Sequence, residues 1–288
     1  MDVSEVLDFT VDELGSLERP VMLVGLEGWF DVASAATHAV DAFIDDGAAL
    51  IVGEIDPDPF YDFTQQRPLV SVDDGVRTIQ WPANDVVVQR NAGHRDLVAL
   101  IGVEPHMHWS TYVDAIATVA SALGCEAVVT VGSSAEAIPH TRRPPVTGST
   151  SNVDLARRLG LVAPSYEGIT GIAGVLQAAL ESRGIPAVSL RVGIPHYLMN
   201  AEHPQATAAL SRHLSHVLDV PTRIDFGEQI DSWRDVHDEI VQSDDQLRMY
   251  VRMLESEFDR RAEAAIPTAD DLAAEFEDFL DNQRPDDD

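Results

Sequence analysis

The sequence contains no lysine, and its 288 residues include a single cysteine. Without lysine the chain has no residue for Schiff-base catalysis and none for the phosphate-binding position of a P-loop. One thiol, Cys125, cannot form a disulfide within the chain, which favours a reducing compartment. No apolar run approaches the length of about 18 residues that a membrane-spanning helix needs, and the acidic first residues lack the basic start of a signal peptide. We therefore expect a cytoplasmic protein that does not bind membranes.

Positive charge is also scarce, because 19 arginines stand against 49 Asp and Glu residues, for a formal net charge of −30. So negative a surface repels a phosphate backbone, which argues against nucleic-acid binding. The acidity is concentrated toward the end, since residues 221–288 contain 21 acidic residues and 7 arginines. The hydrophobic fraction of 45% and the charged fraction of 24% are nevertheless typical of an ordinary globular protein.

Short aliphatic runs alternate with amphipathic segments over most of the chain before Pro221. This alternation predicts an α/β fold with a mostly parallel or mixed sheet and helices on both faces. Four of the predicted strands end in a glycine, at Gly25, Gly102, Gly132 and Gly193. Residues 70–81 are predicted to form a hairpin around the turn Asp73-Asp74-Gly75.

After Pro221 the pattern becomes polar and helical. One long helix is predicted over residues 230–261, and a last helix follows Pro267, with Leu272, Phe276, Phe279 and Leu280 as its apolar residues. We therefore divide the chain into an α/β domain, residues 1–226, and an acidic helical C-terminal extension, residues 227–288, with a disordered tail. The apolar stripe of the extension must cover either its own core or another subunit.

Polar residues follow the predicted strands that end in glycine. Because the carboxyl ends of parallel strands meet at one edge of a sheet, we expect these residues to form a rim that could bind an anion or another small molecule. The candidate ligand-binding residues are Glu27, Trp29, Glu104, His106, Ser133, His140, Arg142 and Tyr166, with Ser134 and His196 on the same rim. The alternative is that the glycines serve turns and the polar residues cap nearby helices.

The carboxylates and histidines of the rim complete no pattern of catalysis or metal binding. Glu27 and Glu104 could form a carboxylate pair, although helix capping is the favoured role. The HxH of His106 and His108 supplies at most two metal ligands, and no second cluster completes a known spacing. We therefore predict no catalytic residue, no metal and no cofactor, and we favour a protein that is not an enzyme.

The segment that follows Val131 is the hardest to assign to structure alone. Ser133 and His140 lack the G-x-S-x-G pattern of a nucleophile elbow. Arg142 and Arg143 stand together in an acidic chain, where arginines either pair with carboxylates or hold an anion. Pairing within the chain or between subunits is the favoured interpretation.

These same segments resemble the PAC2 family, named after a eukaryotic proteasome-assembly chaperone. The resembling segments, spread over roughly residues 20–220, are GLEGWFDVASAA at 25–36, EIDPDPFYDF at 54–63, IQWP at 79–82, GVEPHMHW at 102–109, PHTRRPPVTGSTS at 139–151 and YEGITGIAGVL at 166–176, continued to residue 198. The long acidic C-terminus is similar to that of actinobacterial members.

The resemblance implies an α/β fold similar to nucleoside phosphorylases, and a homo-oligomer, with a homotrimer favoured. It implies no established reaction, so the leading expectation is a non-enzymatic assembly factor or chaperone-like protein-binding module, with a proteasome component as a partner. Archaeal members that bind the proteasome end in a hydrophobic-Tyr-X tail, whereas this chain ends Asp-Asp-Asp, and docking by that route is not expected. The alternative is a nucleoside- or anion-binding protein, or an enzyme, that uses the rim.

Overall fold

A mixed sheet of eight strands organises the computed structural model, which describes residues 1–10, 14–45, 47–73, 75–90 and 92–264. The strands are β1 (Leu7–Phe9), β2 (Val21–Glu27), β3 (Leu50–Ile55), β4 (Leu69–Asp73), β5 (Val76–Gln80), β6 (Asn84–Gln89), β7 (Leu97–Val103), β8 (Val128–Glu136), β9 (Val146–Ser149) and β10 (Ala187–Pro195). Their order in the sheet is β1-β3-β6-β7-β2-β8-β10-β9, and β4 and β5 form a separate hairpin.

The helices lie on both faces of this sheet. They are α1 (Ala35–Asp41), α2 (Trp109–Ala122), α3 (Val153–Leu159), α4 (Ile172–Ser182), α5 (Pro204–Leu218), α6 (Gly227–Ser243) and α7 (Asp245–Ala264). Buried side chains of α2 and α4 form one core with the sheet, and those of α1 and α5 form the other. The predicted α/β fold with C-terminal helices is therefore confirmed. Among the described helices, none is both long and apolar enough to cross a membrane.

The centre of the sheet is parallel and its flanks are antiparallel. β7, β2, β8 and β10 pair in parallel, whereas β6, β3 and β1 on one side and β9 on the other run antiparallel to their neighbours. The central strands are aliphatic runs such as Val128–Val131, which is buried on both faces of the sheet. The four strands that contain Gly25, Gly102, Gly132 and Gly193 therefore have their carboxyl ends at the same edge of the sheet.

The strands continue beyond those glycines, which differs from the prediction. β8 runs four residues past Gly132 to Glu136, and the other three strands also continue past theirs. Close packing, and not a turn, explains the glycine at position 132, because a Cβ there would overlap the ring of Phe30. A Cβ on Gly102 would likewise overlap the side-chain amide of Asn84.

The predicted single helix over residues 230–261 is wrong, because α6 and α7 are separate helices. They are divided at Asp244, whose backbone is extended (φ −121, ψ 113). The Asp244 carboxylate accepts hydrogen bonds from the amides of Gln246 (2.8 Å) and Leu247 (3.1 Å), so it caps the start of α7. The predicted helix after Pro267 lies outside the described residues.

Candidate functional site

The predicted rim residues lie along one edge of the sheet but fall into two groups. The carboxyl ends of the parallel strands follow one another there in the order β7, β2, β8, β10. The group at β7 and β2 is centred on Glu104. The group at β8 and β10 is centred on His140 and Arg142, and it contacts α6 and α7.

Glu104 holds two backbone segments together. Its Oε2 accepts a hydrogen bond from the amide of Trp29 (3.1 Å), and its Oε1 accepts one from the amide of Ile172 (3.5 Å), at the start of α4. Gly28 lies against the Glu104 side chain with a φ of +155°, where a Cβ would overlap it. Helix capping, the role favoured for Glu104 by the sequence, is thus the role that its contacts describe.

Aromatic and aliphatic side chains stand exposed beside Glu104. We define the strand-end patch as Trp29, Tyr166 and Ile169, which are 74%, 74% and 91% exposed. The Tyr166 hydroxyl donates to the carbonyl of Ile169 (2.9 Å), and a Cβ on Gly171 would lie 3.9 Å from the Trp29 ring. Glu27 ends β2 on the same edge and is also exposed. The patch is an apolar surface next to a carboxylate that is already engaged by the backbone.

Ser133 and His106 hold neighbouring loops in place. Ser133 is buried, and its hydroxyl donates to the carbonyl of Val32 (2.7 Å), which fixes the segment before α1. The Nδ1 of His106 accepts from the amide of Asp62 (3.0 Å), in the loop that follows β3. The pKa of Asp62 is lowered, chiefly by its hydrogen bonds from Thr64. These two side chains are therefore occupied by local structure.

His140 is buried between Tyr197 and α6. Its Nδ1 lies 2.7 Å from the Tyr197 hydroxyl, and its Nε2 lies 3.3 Å from a carboxylate oxygen of Asp238. Because a carboxylate only accepts, we assign the proton of the neutral ring to Nε2, with the tyrosine hydroxyl donating to Nδ1. Burial lowers the pKa of His140 and raises that of Tyr197 to about 12. The imidazole thus joins the α/β domain to the extension in its neutral form.

Further rings extend this junction on both sides of His140. His203 caps α5 by accepting the amide of Ala206 on Nδ1 (3.2 Å), and burial lowers its pKa to about 4. The Trp233 ring of α6 lies 4.2 Å from the His203 ring and 4.2 Å from that of His237. We call the junction the ring cluster; its members are His140, His196, Tyr197, His203, Trp233, His237 and Tyr250.

Arg142 is paired with α7. Its Nε and one terminal nitrogen each donate to Asp259 at 2.8 Å, and its other terminal nitrogen donates to Glu255 at 3.1 Å. Such a forked contact lowers the pKa of Asp259. In the same helix Val251 and Leu254 are buried. The apolar stripe of the extension therefore covers its own chain, at the β8 and β10 end of the rim.

The partners of His140 and Arg142 on the extension are the residues that the sequence analysis missed. They are Trp233, His237, Asp238, Glu255 and Asp259. The available signal was helical spacing, since Trp233 and His237, and likewise Glu255 and Asp259, are four residues apart and share a helix face. Spacing alone could not say which loop of the α/β domain these faces would meet.

The part of the chain that the structure describes shows no cluster of metal ligands at this edge. Among the described residues, no three His, Cys, Asp or Glu side chains are arranged to hold a metal ion. Two pockets, of about 390 and 290 Å³, lie elsewhere, one between the first residues and β3 and the other between α5 and the start of α6. The described edge is better suited to surface contacts than to enclosing a ligand.

The fold and this edge together define an α/β scaffold with a helical cover over part of its strand ends. The model of the PAC2 family matches residues 25–241, and the chain belongs to that family. A comparison with curated protein sequences finds no match.

Several solved structures are similar to this chain over most of its length. A PAC2 family protein from Streptomyces avermitilis is 37% identical, with a TM-score of 0.73, over 81% of this chain and 99% of that one. The proteasome-assembly chaperone homologue Rv2125 from Mycobacterium tuberculosis is 38% identical, with a TM-score of 0.72, over 80% and 99%. PbaB from Pyrococcus furiosus, an archaeal proteasome activator, is 18% identical over 83% and 98%, and its TM-score of 0.62 indicates a shared fold.

Proposed function

We propose that the protein is a homo-oligomeric, non-enzymatic assembly factor that binds unassembled proteasome subunits in the cytoplasm. The family supports this proposal, because a relative with 38% identity is described as a proteasome-assembly chaperone homologue. We further propose a trimer in which residues 1–226 form the binding domain and the acidic extension, residues 227–288, covers part of the rim.

The exposed strand-end patch is the observation that carries the proposal. Trp29, Tyr166 and Ile169 leave most of their surface in water, at the edge where α/β proteins place their sites. Tryptophan and tyrosine are typical anchors of protein interfaces, and clustered exposed apolar residues are typical of protein-binding surfaces. A protein partner would bury these side chains, whereas a small anion would gain little from them.

The alternative of a nucleoside or anion site has less support from the contacts. Of its candidate residues, Glu104 already accepts two backbone amides, and Arg142 is already bound to two carboxylates. An anion at Arg142 would have to displace Asp259 and Glu255 from α7. We therefore prefer protein binding, and the ligand-binding role of the rim remains the second proposal.

Native mass spectrometry tests the proposed function directly. The purified protein is mixed with separately prepared proteasome α- and β-subunits of the same organism, before and after these assemble. We expect a complex with unassembled subunits that is lost once the ring has closed. Absence of a complex with either subunit, at concentrations well above micromolar, would overturn the proposal.

A further inference from the structure

The β4–β5 hairpin contributes no residue to either core of the described chain. All ten residues of its two strands are exposed. A two-stranded hairpin alone in water is marginally stable, and it normally needs a third strand or a packed face. Near its base, Trp81 contacts Phe63 with ring centroids 4.9 Å apart. The remainder of the hairpin extends into solvent.

The two faces of the hairpin differ in polarity. Cross-strand pairs place Val70 opposite Ile79 and Val72 opposite Arg77, and all four share one face because they alternate along each strand. The other face carries Leu69 and Val76 together with Ser71, Asp73, Thr78 and Gln80, and the hydroxyls of Ser71 and Thr78 are hydrogen-bonded at 2.6 Å. The first face is therefore the more apolar of the two; we call it the apolar face, and the described residues leave it uncovered.

The charge of the hairpin indicates what kind of surface could cover its apolar face. The chain has a net charge of −30, yet residues 67–80 contain two arginines and two aspartates and therefore have a net charge of zero. Arg77 lies at the turn end of the apolar face, opposite Val72, and its side chain makes no hydrogen bond or ion pair with the described residues. An acidic surface with apolar side chains is the complement that such a face requires.

The chain itself offers this complement on α6. Val236 and Ile240 of α6 are 52% and 51% exposed, and they lie one turn apart at the border of the helix face that packs on the ring cluster through Trp233 and His237. Glu239 flanks them, and it makes no ion pair with the described residues. Residues 227–264, which include this surface, contain 11 acidic residues against 5 arginines.

We propose that the apolar face of the β4–β5 hairpin binds the exposed face of α6 on a second copy of the chain, with Arg77 of one copy paired to Glu239 of the next. The contact joins two different surfaces, so it is head-to-tail and closes into a ring when the rotation allows. It rests on the homo-oligomer of the proposed function and names the surfaces that would form it.

Charge reversal tests this contact, with the dissociation constant of self-association measured by analytical ultracentrifugation. We expect Arg77→Glu and Glu239→Arg each to weaken self-association by about tenfold or more, and the double variant to return it to within about threefold of the wild type. Arg158→Glu makes the same charge change on an exposed position of α3 and serves as the control. Because Arg77 and Glu239 are both exposed, the variants should keep the wild-type circular dichroism spectrum.

Cross-linking provides a second measurement that does not depend on charge. In a chain with Cys125→Ser, proteins carrying Val70→Cys and Ile240→Cys are mixed and treated with a short bismaleimide. A linked product that contains one copy of each supports the contact.

Three results would overturn the inference. If Arg77→Glu weakens self-association no more than Arg158→Glu does, the contact is rejected, and the proposed function still stands. Failure of the two cysteine proteins to cross-link would have the same consequence. A monomeric wild type would reject the contact together with the oligomer, whereas binding to proteasome subunits is decided separately by mass spectrometry.

Discussion

Arg142 illustrates how single residues attach the extension to the α/β domain. Its planar guanidinium donates to Asp259 with two nitrogens and to Glu255 with a third. A lysine ammonium could not reproduce this forked geometry. The sequence indicated that Arg142 would be paired, because arginines are few among so many carboxylates, but not that both carboxylates would come from one helix.

Replacing Arg142 should loosen α7. We expect Arg142→Ala to accelerate hydrogen exchange across α7 by roughly threefold or more, because three charge-assisted hydrogen bonds are lost. Arg157→Ala is the matched control, since Arg157 forms an ion pair with Asp154 three residues away in the same helix, and both side chains are exposed. Equal exchange of α7 in both variants and the wild type would contradict this role.

Gly102 is needed because it has no side chain, and not because of its backbone conformation. We expect Gly102→Ala to lower the free energy of unfolding by about 1–3 kcal/mol, because the new methyl group would displace the buried Asn84 and its bond to Tyr112 (2.7 Å). Chemical denaturation measures the change. Gly47→Ala is the control, since its Cβ would meet nothing closer than 3.4 Å, and an equal loss there would show that close packing is not the cause.

At the scale of elements, α6 and α7 turn half of the predicted rim into an internal junction. The strands and most helices followed from aliphatic runs and capping residues, whereas β1 and β9 at the sheet edges were missed. β1 has only three residues and β9 four, too few for a clear alternation. The break at Asp244 was missed as well, because an apolar stripe at helical spacing continues on both of its sides.

Acid should weaken the ring cluster. His203 has a pKa of about 4, below its ordinary value of 6.5, because burial disfavours the charged ring. As the pH falls, this histidine therefore takes up a proton in the unfolded chain before it does so in the folded chain. Its contribution to the free energy of unfolding is fully present above about pH 6.5 and is lost as the pH drops to about 4. The loss of stability amounts to at most about 3 kcal/mol.

A His203→Asn variant isolates this effect, because asparagine can still cap α5 and does not titrate. We expect its free energy of unfolding to fall less steeply than that of the wild type between pH 6.5 and 4. Carboxylates titrate in both proteins, so their contribution cancels in the comparison. Parallel pH curves for the two proteins would contradict a neutral, buried His203.

At the scale of the whole molecule, the charge of −30 opposes the folded state. Repulsion among so many carboxylates is relieved when salt screens them. We expect the melting temperature to rise by a few degrees as sodium chloride increases from about 0.05 to 0.5 M. Potassium chloride should act equally, and a fall in the melting temperature would mean that ion pairs such as Arg142–Asp259 outweigh the repulsion.

The site was less predictable than the fold for a physical reason. The aliphatic runs indicated the parallel strands and the edge to which they point, so the shared edge of Glu104, Ser133 and His140 was foreseen although the strands end later than the glycines predicted. Which of these side chains stay accessible depends on contacts between residues about 100 positions apart, such as His140 with Asp238, and no local pattern encodes such contacts.

The most direct test of the account is the affinity for an unassembled proteasome α-subunit, measured by isothermal titration calorimetry. Ile169→Ser removes the most exposed side chain of the strand-end patch, and Ile51→Ser is the matched control, because Ile51 is 70% exposed on β3. We predict that Ile169→Ser raises the dissociation constant by about tenfold or more, while Ile51→Ser leaves it unchanged. Equal affinities for the wild type and both variants would contradict the claim that this patch binds the partner.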